Sequence, residues 1–216
     1  MTAAVGSWPA THSAQPGRRY NGDRGVRGRI QVPGSTRLIV ATDGSWKQGA
    51  GGFGYVTRNG HWALSSRFMK GRLSPVRDDG TASLVFELRA AGMVLEHFPG
   101  RAVRFLIDCE PAIRLLRLWQ AGDVGCMPPG YSLRPRINGG ATPALVRIAE
   151  IVSGRMDLRF THVHAHRGHV MNEVADSLAG IGRRALGGEL GDECAVAERA
   201  SGLVEGFLHE IRGGAA

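Results

Sequence analysis

The chain has 216 residues, of which 43% are hydrophobic and 21% are charged, values that exclude a wholly disordered, fibrous or membrane-spanning protein. Its length suits one ordinary domain with short flanking segments. The formal net charge is +8, and because Lys47 and Lys70 are the only lysines, arginine dominates and weakly favours a phosphate-rich partner.

Residues 1–36 are rich in glycine, serine, proline and arginine and have no hydrophobic period, which predicts a disordered, basic N-terminal tail. The tail could be a solvated appendage or an arm that binds nucleic acid. It shows no apolar core of a signal peptide, and the three cysteines are too widely spaced for a disulfide framework. We therefore expect a cytoplasmic protein.

Three strands are predicted next. Leu38–Thr42 is a short apolar run with β-branched residues, and a glycine-rich turn leads from it into Phe53–Arg58. Asn59-Gly60 is a strong signal for a two-residue hairpin, so a third strand follows at His61–Met69. These three strands should pair antiparallel at the start of the domain.

Helices and strands then alternate. Apolar spacing predicts helices over Ala82–Phe98, Pro111–Trp119, Ala144–Val152 and Asn172–Leu186, strands over Val103–Ile107 and Leu158–Val163, and a long loop over Gly122–Gly140. A hairpin sheet followed by βα units predicts an α/β fold with a five-stranded mixed sheet flanked by helices, spanning residues 37–186. Residues 187–216 are an acidic C-terminal tail in which Ala195–Ile211 could be an amphipathic helix.

Four acidic residues lie at positions where a carboxylate is unusual unless it binds a ligand or is paired. Asp43 and Asp108 each follow a predicted buried strand, and ligands of α/β sheets usually bind at neighbouring strand ends. Glu87 and Asp176 lie among apolar helical residues, where an acid is costly unless it is paired or binds a cation. One cluster of the four would suit Mg²⁺ or Mn²⁺, and two such ions would serve hydrolysis of a phosphodiester.

Each acid also has an ordinary structural explanation. Asp43 could be the turn residue of an Asp-Gly dipeptide, and Asp108 could cap the helix that follows it. Glu87 and Asp176 could form salt bridges to Arg89 or Arg183. The conjunction of four acids favours the metal-binding interpretation.

Four histidines lie close together in the sequence before the last predicted helix: His162, His164, His166 and His169. A transition-metal site is one interpretation, although no cysteine or nearby acid completes it. A general base or proton shuttle, in a loop that Gly168 makes pliable, fits better. For His162 and His164 we prefer a plain role as polar strand residues.

The whole pattern resembles the type I ribonuclease H family. His164-Ala165-His166-Arg167-Gly168-His169, then Asn172-Glu173 and Asp176-Ser177-Leu178-Ala179, is similar to the family's G-H-x-G-H, N-E and D-x-L-A block. Thr42-Asp43-Gly44-Ser45 with Gly51-Gly52-Phe53-Gly54 is similar to its opening T-D-G-S and glycine-rich hairpin. Phe86-Glu87-Leu88-Arg89-Ala90 resembles its helical M-E-L-x-A, and Ile107-Asp108-Cys109 its T-D-S. The resemblance covers about residues 37–186.

This resemblance implies a ribonuclease H-like fold and a metal-dependent endoribonuclease, a hydrolase that cuts the RNA strand of an RNA–DNA hybrid. The products would carry 5′-phosphate and 3′-hydroxyl ends. Two Mg²⁺ ions, or Mn²⁺ in their place, would be held by Asp43, Glu87, Asp108 and Asp176. His166 matches the family's loop histidine, which helps product leave or moves protons. Glu173 would stabilise the site without binding the metal ions itself. We expect a monomer with no membrane partner.

The sequence departs from the family where the substrate is held. The family often has an Asn pair before the helical acid, and here Ser83 and Leu84 stand in those places. A glycine- and proline-rich loop replaces the basic, Trp-bearing protrusion of many bacterial members. The candidate substrate contacts are Gly44, Ser45, Ser83, Asn172, Arg134 and Arg136.

Two other functions stay open at this point. The first is a non-catalytic nucleic-acid-binding module on the same fold, although such a module has no need of four acids. The second is a different nuclease or a transposase, which usually needs additional recognition domains.

Overall fold

A computed structural model describes residues 15–16, 24–29, 37–68, 80–133, 142–165 and 168–213. Within these ranges seven strands form one sheet: β1 (Gln15–Pro16), β2 (Arg24–Arg29), β3 (Leu38–Lys47), β4 (Ala50–Thr57), β5 (His61–Phe68), β6 (Val103–Ile107) and β7 (Leu158–His162). Five helices flank it: α1 (Thr81–His97), α2 (Glu110–Gln120), α3 (Ala144–Val152), α4 (Val170–Leu186) and α5 (Glu193–Gly213). No helix in these ranges is long and apolar enough to cross a membrane.

The sheet is mixed, with the strand order β1-β2-β5-β4-β3-β6-β7. Its first five strands in that order pair antiparallel, whereas β3, β6 and β7 run parallel to one another. The predicted fold class is therefore confirmed: an antiparallel hairpin sheet leads into βα units, as the alternation of short apolar runs and helical periods indicates. The strand count is corrected from five to seven.

Strand β2 accounts for most of that correction. It pairs with β5 over six residues, from Arg24 opposite Ser66 to Arg29 opposite His61. The prediction that residues 1–36 contain no ordered element is wrong for this segment. Backbone hydrogen bonds hold β2 to β5, and Val26 is buried, but no apolar alternation marks the sequence.

The sheet separates two hydrophobic layers. On one face α1, α2 and α3 pack over side chains such as Val40 and Phe105. On the other face α4 and α5 pack over Ala41, Trp62 and Val26. The predicted C-terminal helix is thus present as α5, and Val196, Ala200, Val204 and Phe207 form its buried stripe at helical spacing.

A tight hairpin joins β3 to β4. Gln48 and Gly49 both have positive φ, 49° and 85°, as a two-residue turn with the twist of the flanking strands requires. The register that follows places Asp43 opposite Gly54 and Ser45 opposite Gly52. This hairpin carries the first of the predicted site residues.

Candidate active site

Three carboxylates meet at one edge of the parallel part of the sheet. Asp43 lies within β3, Asp108 directly follows the neighbouring strand β6, and Glu87 comes from the sheet-facing side of α1. A carboxylate oxygen of each lies within 4.8 Å of one of the other two. The prediction that Asp43 follows its strand is wrong, because β3 continues to Lys47. The parallel pairing of β3 with β6 nevertheless ends at Ala41 and Leu106, and the three acids come together just beyond it.

Burial and mutual repulsion dominate the electrostatics of this cluster. Asp43 and Glu87 are each only 6% exposed. Burial, followed by the charges of Asp108 and Asp176, raises the pKa of Asp43 from 3.8 to about 8. Burial and the charges of Asp43 and Asp108 likewise raise the pKa of Glu87, while hydrogen bonding from the Gly44 backbone lowers both only in part.

The cluster offers the oxygen ligands that a hard divalent cation prefers. Glu87 Oε2 is buried, and no group in the described part of the chain donates a hydrogen bond to it. A cation that takes oxygen ligands would give this oxygen a partner, and it would also offset the repulsion among the three carboxylates. Across the described ranges these three acids are also the one group of three or more His, Cys, Asp or Glu that could hold an ion.

Asp176 lies at the border of the cluster. It is an exposed residue of α4 and is not part of the tight group of three. Its charge still raises the pKa of both Asp43 and Glu87, so it is close enough to interact with them. The structure thus brings three of the four predicted acids into contact distance and the fourth alongside.

The ordinary explanations for the acids do not match the geometry. Asp43 is paired within a strand rather than in a turn, and the residue that caps α2 is Cys109, not Asp108. Arg183 donates to Ser45 instead of Asp176, and Arg89 lies over the Phe53 ring. Glu87 and Asp176 form no ion pair with any residue in the described ranges.

Asn172 holds the Asp108 carboxylate. Its side chain is 3% exposed, and its Nδ2 donates a 2.9 Å hydrogen bond to Asp108 Oδ2. The sequence predicted Asn172 as a substrate contact, whereas the structure gives its amide nitrogen to a candidate metal ligand. Such a bond orients a ligand before an ion arrives.

The histidines do not form a metal site in the described residues. His162 Nε2 lies 3.1 Å from the Asp108 carbonyl oxygen, and its ring meets that of His164 edge to face at 5.3 Å. No three ligands of the cluster come together. His169 instead precedes the first turn of α4, and His166 lies outside the described residues.

Of the other predicted residues, some lie within the described ranges and two do not. Ser83 is half-buried one helical turn before Glu87, and Glu173 Oε1 accepts a 3.2 Å hydrogen bond from the Gly168 backbone N–H. Ser45 Oγ accepts from Arg183 Nε at 3.1 Å. Arg134 and Arg136 lie outside the described residues.

The sequence indicated Arg183 only as a possible salt-bridge partner of Asp176, and its contact with Ser45 was missed. Arg183 follows Asp176 by seven residues, which is about two turns and hence the same face of α4. That spacing indicates a position near the site, but it does not identify Ser45 as the partner. The contacts that Asn172 and His162 make to Asp108 carried no comparable signal, because they join residues 64 and 54 positions apart.

Gly44 is needed for close packing at the site. A Cβ on this residue would lie 2.3 Å from the Glu87 backbone nitrogen and 2.5 Å from the Phe86 carbonyl carbon. The backbone of α1 therefore rests directly on β3, and it brings Glu87 to Asp43.

We expect Gly44→Ala to displace α1 and to lower both stability and activity. Overpacking a core costs about 1–3 kcal/mol, and about 2–4 °C in Tm per kcal/mol is usual at this size, so Tm should fall by roughly 3–10 °C. Gly180→Ala is the control, since a Cβ there meets nothing within 4 Å. It should raise Tm by about 2–4 °C through helix propensity. Thermal melts of both variants test this, and an unchanged Tm for Gly44→Ala would contradict it.

Comparison with known proteins points to one family. The family model described as RNase H matches residues 35–184. A protein named Ribonuclease H from Methylorubrum extorquens (strain PA1) is 29% identical over 163 residues, which cover 74% of this chain and 66% of that protein. Another Ribonuclease H, from Anaeromyxobacter dehalogenans (strain 2CP-C), is 30% identical over 174 residues, covering 79% of this chain and 92% of that protein. The chain thus spans about two-thirds of the first relative.

Proposed function

The chain belongs to the ribonuclease H family, and on that premise we propose that it is a metal-dependent endoribonuclease that hydrolyses the RNA strand of RNA–DNA hybrids. Family membership supports endoribonuclease activity on such hybrids. The observation that carries the proposal for this chain is its cluster of three carboxylates within 4.8 Å, built from three separate elements.

Asp43, Glu87 and Asp108 would hold divalent cations, with Asp176 joining from the exposed side of α4. We propose two Mg²⁺ ions, with Mn²⁺ as a substitute, because hard oxygen ligands suit both. When bound, such ions supply an activated water and stabilise the leaving oxygen of the phosphodiester. The products would carry 5′-phosphate and 3′-hydroxyl ends.

The surrounding residues would prepare this site. The bond from Asn172 Nδ2 supports a role in keeping the Asp108 carboxylate turned toward the cluster. The contact between His162 Nε2 and the Asp108 carbonyl supports a role in holding the end of β6. Glu173 would anchor the loop that carries His166, which would move protons or help the product leave.

We propose that residues near the three acids bind the substrate. Gly44 and Ser83 lie beside the acids, and Arg134 and Arg136 would add cationic contacts to phosphates. Residues 37–186 would carry the catalysis of a cytoplasmic monomer. The segments 1–36 and 187–216 contribute β2 and α5 to the second hydrophobic layer.

A substrate panel tests this function. Purified protein is incubated with end-labelled RNA–DNA hybrid, duplex RNA and duplex DNA, each with Mg²⁺ or with EDTA. We expect cleavage of only the RNA strand of the hybrid, only with Mg²⁺, and fragments with 5′-phosphate ends. An intact hybrid would indicate a binding module instead, and duplex DNA cut at the same rate would indicate a different nuclease.

A further inference from the structure

Ser45 and Arg183 form a polar pair next to the acid cluster. Ser45 follows Asp43 by two residues in β3, so its side chain shares the same face about 7 Å farther along the strand. Arg183 follows Asp176 by seven residues, about 10 Å farther along α4. The two side chains meet where Arg183 Nε donates to Ser45 Oγ at 3.1 Å.

The backbone fixes this pair in place. Ser45 is paired with Gly52 across the β3–β4 hairpin. A Cβ on Gly52 would lie 2.1 Å from the Ala179 carbonyl oxygen and 2.4 Å from the Arg183 backbone nitrogen. Helix α4 therefore packs directly on β4 beside Ser45. The close contact of α4 with β4 fixes the position of the Arg183 backbone.

The pair keeps donors available for a ligand. The bond to Ser45 uses only Nε of Arg183, and within the described ranges its two terminal nitrogens have no hydrogen-bond or ion-pair partner. Ser45 accepts from Arg183, so its own O–H remains able to donate. A guanidinium and a hydroxyl in hydrogen-bond contact, both half-buried, offer donors that suit a phosphate group.

We propose that Arg183 and Ser45 form a phosphate-binding subsite for the substrate backbone, and this proposal rests on the proposed function. The pair lies about 7–10 Å along β3 and α4 from the acids, so the phosphate it binds would be near, but not at, the bond that is cut. The competing explanation is that the pair only fastens α4 to β3.

Hybrid binding without cleavage tests the subsite. Fluorescence anisotropy in EDTA gives the Kd of a labelled hybrid over a range of KCl concentrations. We expect Arg183→Ala to raise Kd about 5–10-fold at 0.1 M salt and to reduce the slope of log Kd against log salt by about 0.7–0.9, the loss of one phosphate contact. In cleavage assays the loss should appear in KM rather than in kcat.

Arg184→Ala is the matched control. It removes the same charge from the next residue of α4, whose Nε donates to the Gly180 carbonyl of its own helix. We expect less than a twofold change in Kd and no change of slope. Equal effects of the two variants would overturn the subsite and leave the fastening role.

A second variant separates binding from folding. Arg183→Gln can still donate to Ser45 Oγ but carries no charge, so it should keep the wild-type Tm and show the same rise in Kd as Arg183→Ala. Wild-type affinity in Arg183→Gln would overturn the subsite while leaving the proposed function intact. A wild-type chain that neither binds nor cuts the hybrid would instead overturn the proposed function.

Discussion

Asp43→Asn is expected to abolish hybrid cleavage and, at the same time, to raise the Tm of the metal-free protein. The substitution keeps the shape of the side chain and removes a charge from a buried cluster of like charges. Loss of a residue that only supports a metal ligand costs about 10–100-fold, so loss of a ligand should lower the rate by at least about 100-fold.

The gain in stability has a defined pH dependence. The folded pKa of Asp43 is raised from 3.8 to about 8, so the folded chain binds a proton that the unfolded chain has lost between those values. Stability from this group is therefore complete below pH 4 and is lost as the pH rises toward 8. Asparagine does not titrate. We therefore expect the Tm of metal-free Asp43→Asn to exceed that of the wild type by several degrees more at pH 8.5 than at pH 5.

Asp157→Asn is the matched control for this prediction. Asp157 accepts two 2.7 Å hydrogen bonds from Arg155, which lower its pKa, and it lies outside the acid cluster. The same chemical change should lower Tm slightly and leave cleavage unchanged. A lower Tm for Asp43→Asn at pH 8.5 in EDTA, or cleavage within tenfold of wild type, would show that Asp43 is not held in a repulsive metal site.

Mg²⁺ is expected to stabilise the protein, and more strongly as the pH rises. A ligand that binds only the folded state at ten times its Kd adds about 1.4 kcal/mol, or roughly 3–6 °C in Tm at this size. Binding requires ionised carboxylates, and Asp43 must release a proton below its pKa of about 8. The shift should therefore be largest near pH 8.5 and small near pH 5.

Thermal melts in Mg²⁺ and in EDTA, at several pH values, measure this shift. Asp43→Asn should lose most of the Mg²⁺-dependent shift, because it removes both a ligand and the titrating proton. An equal shift at pH 5 and pH 8.5, or a full shift in Asp43→Asn, would place the stabilising ion elsewhere on the chain.

Local patterns were sufficient to predict the elements that build the site. Continuous apolar strands identified β3 and β6, and helical spacing identified α1 around Glu87. Because neighbouring parallel strands end at one edge of a sheet, Asp43 and Asp108 could be expected together. Glu87 and Asp176 were expected there because each is an acid among apolar helical residues, and the family resemblance agreed.

Features that depend on tertiary register were not predictable from local sequence. Strand β2 buries Val26 but shows no apolar alternation, and it forms through its backbone pairing with β5. The hydrogen bond of Arg183 to Ser45 joins residues 138 positions apart, and it depends on how closely α4 approaches Gly52. No period or motif in one segment encodes such a distance.

Anomalous diffraction from crystals soaked in Mn²⁺ is the most direct test that these acids hold the catalytic ion. Data collected on both sides of the manganese absorption edge locate the ion without reference to activity. We expect anomalous density in contact with the carboxylate oxygens of Asp43, Glu87 and Asp108. Mn²⁺ bound at the histidines or elsewhere, with none at these three acids, would contradict the proposed site.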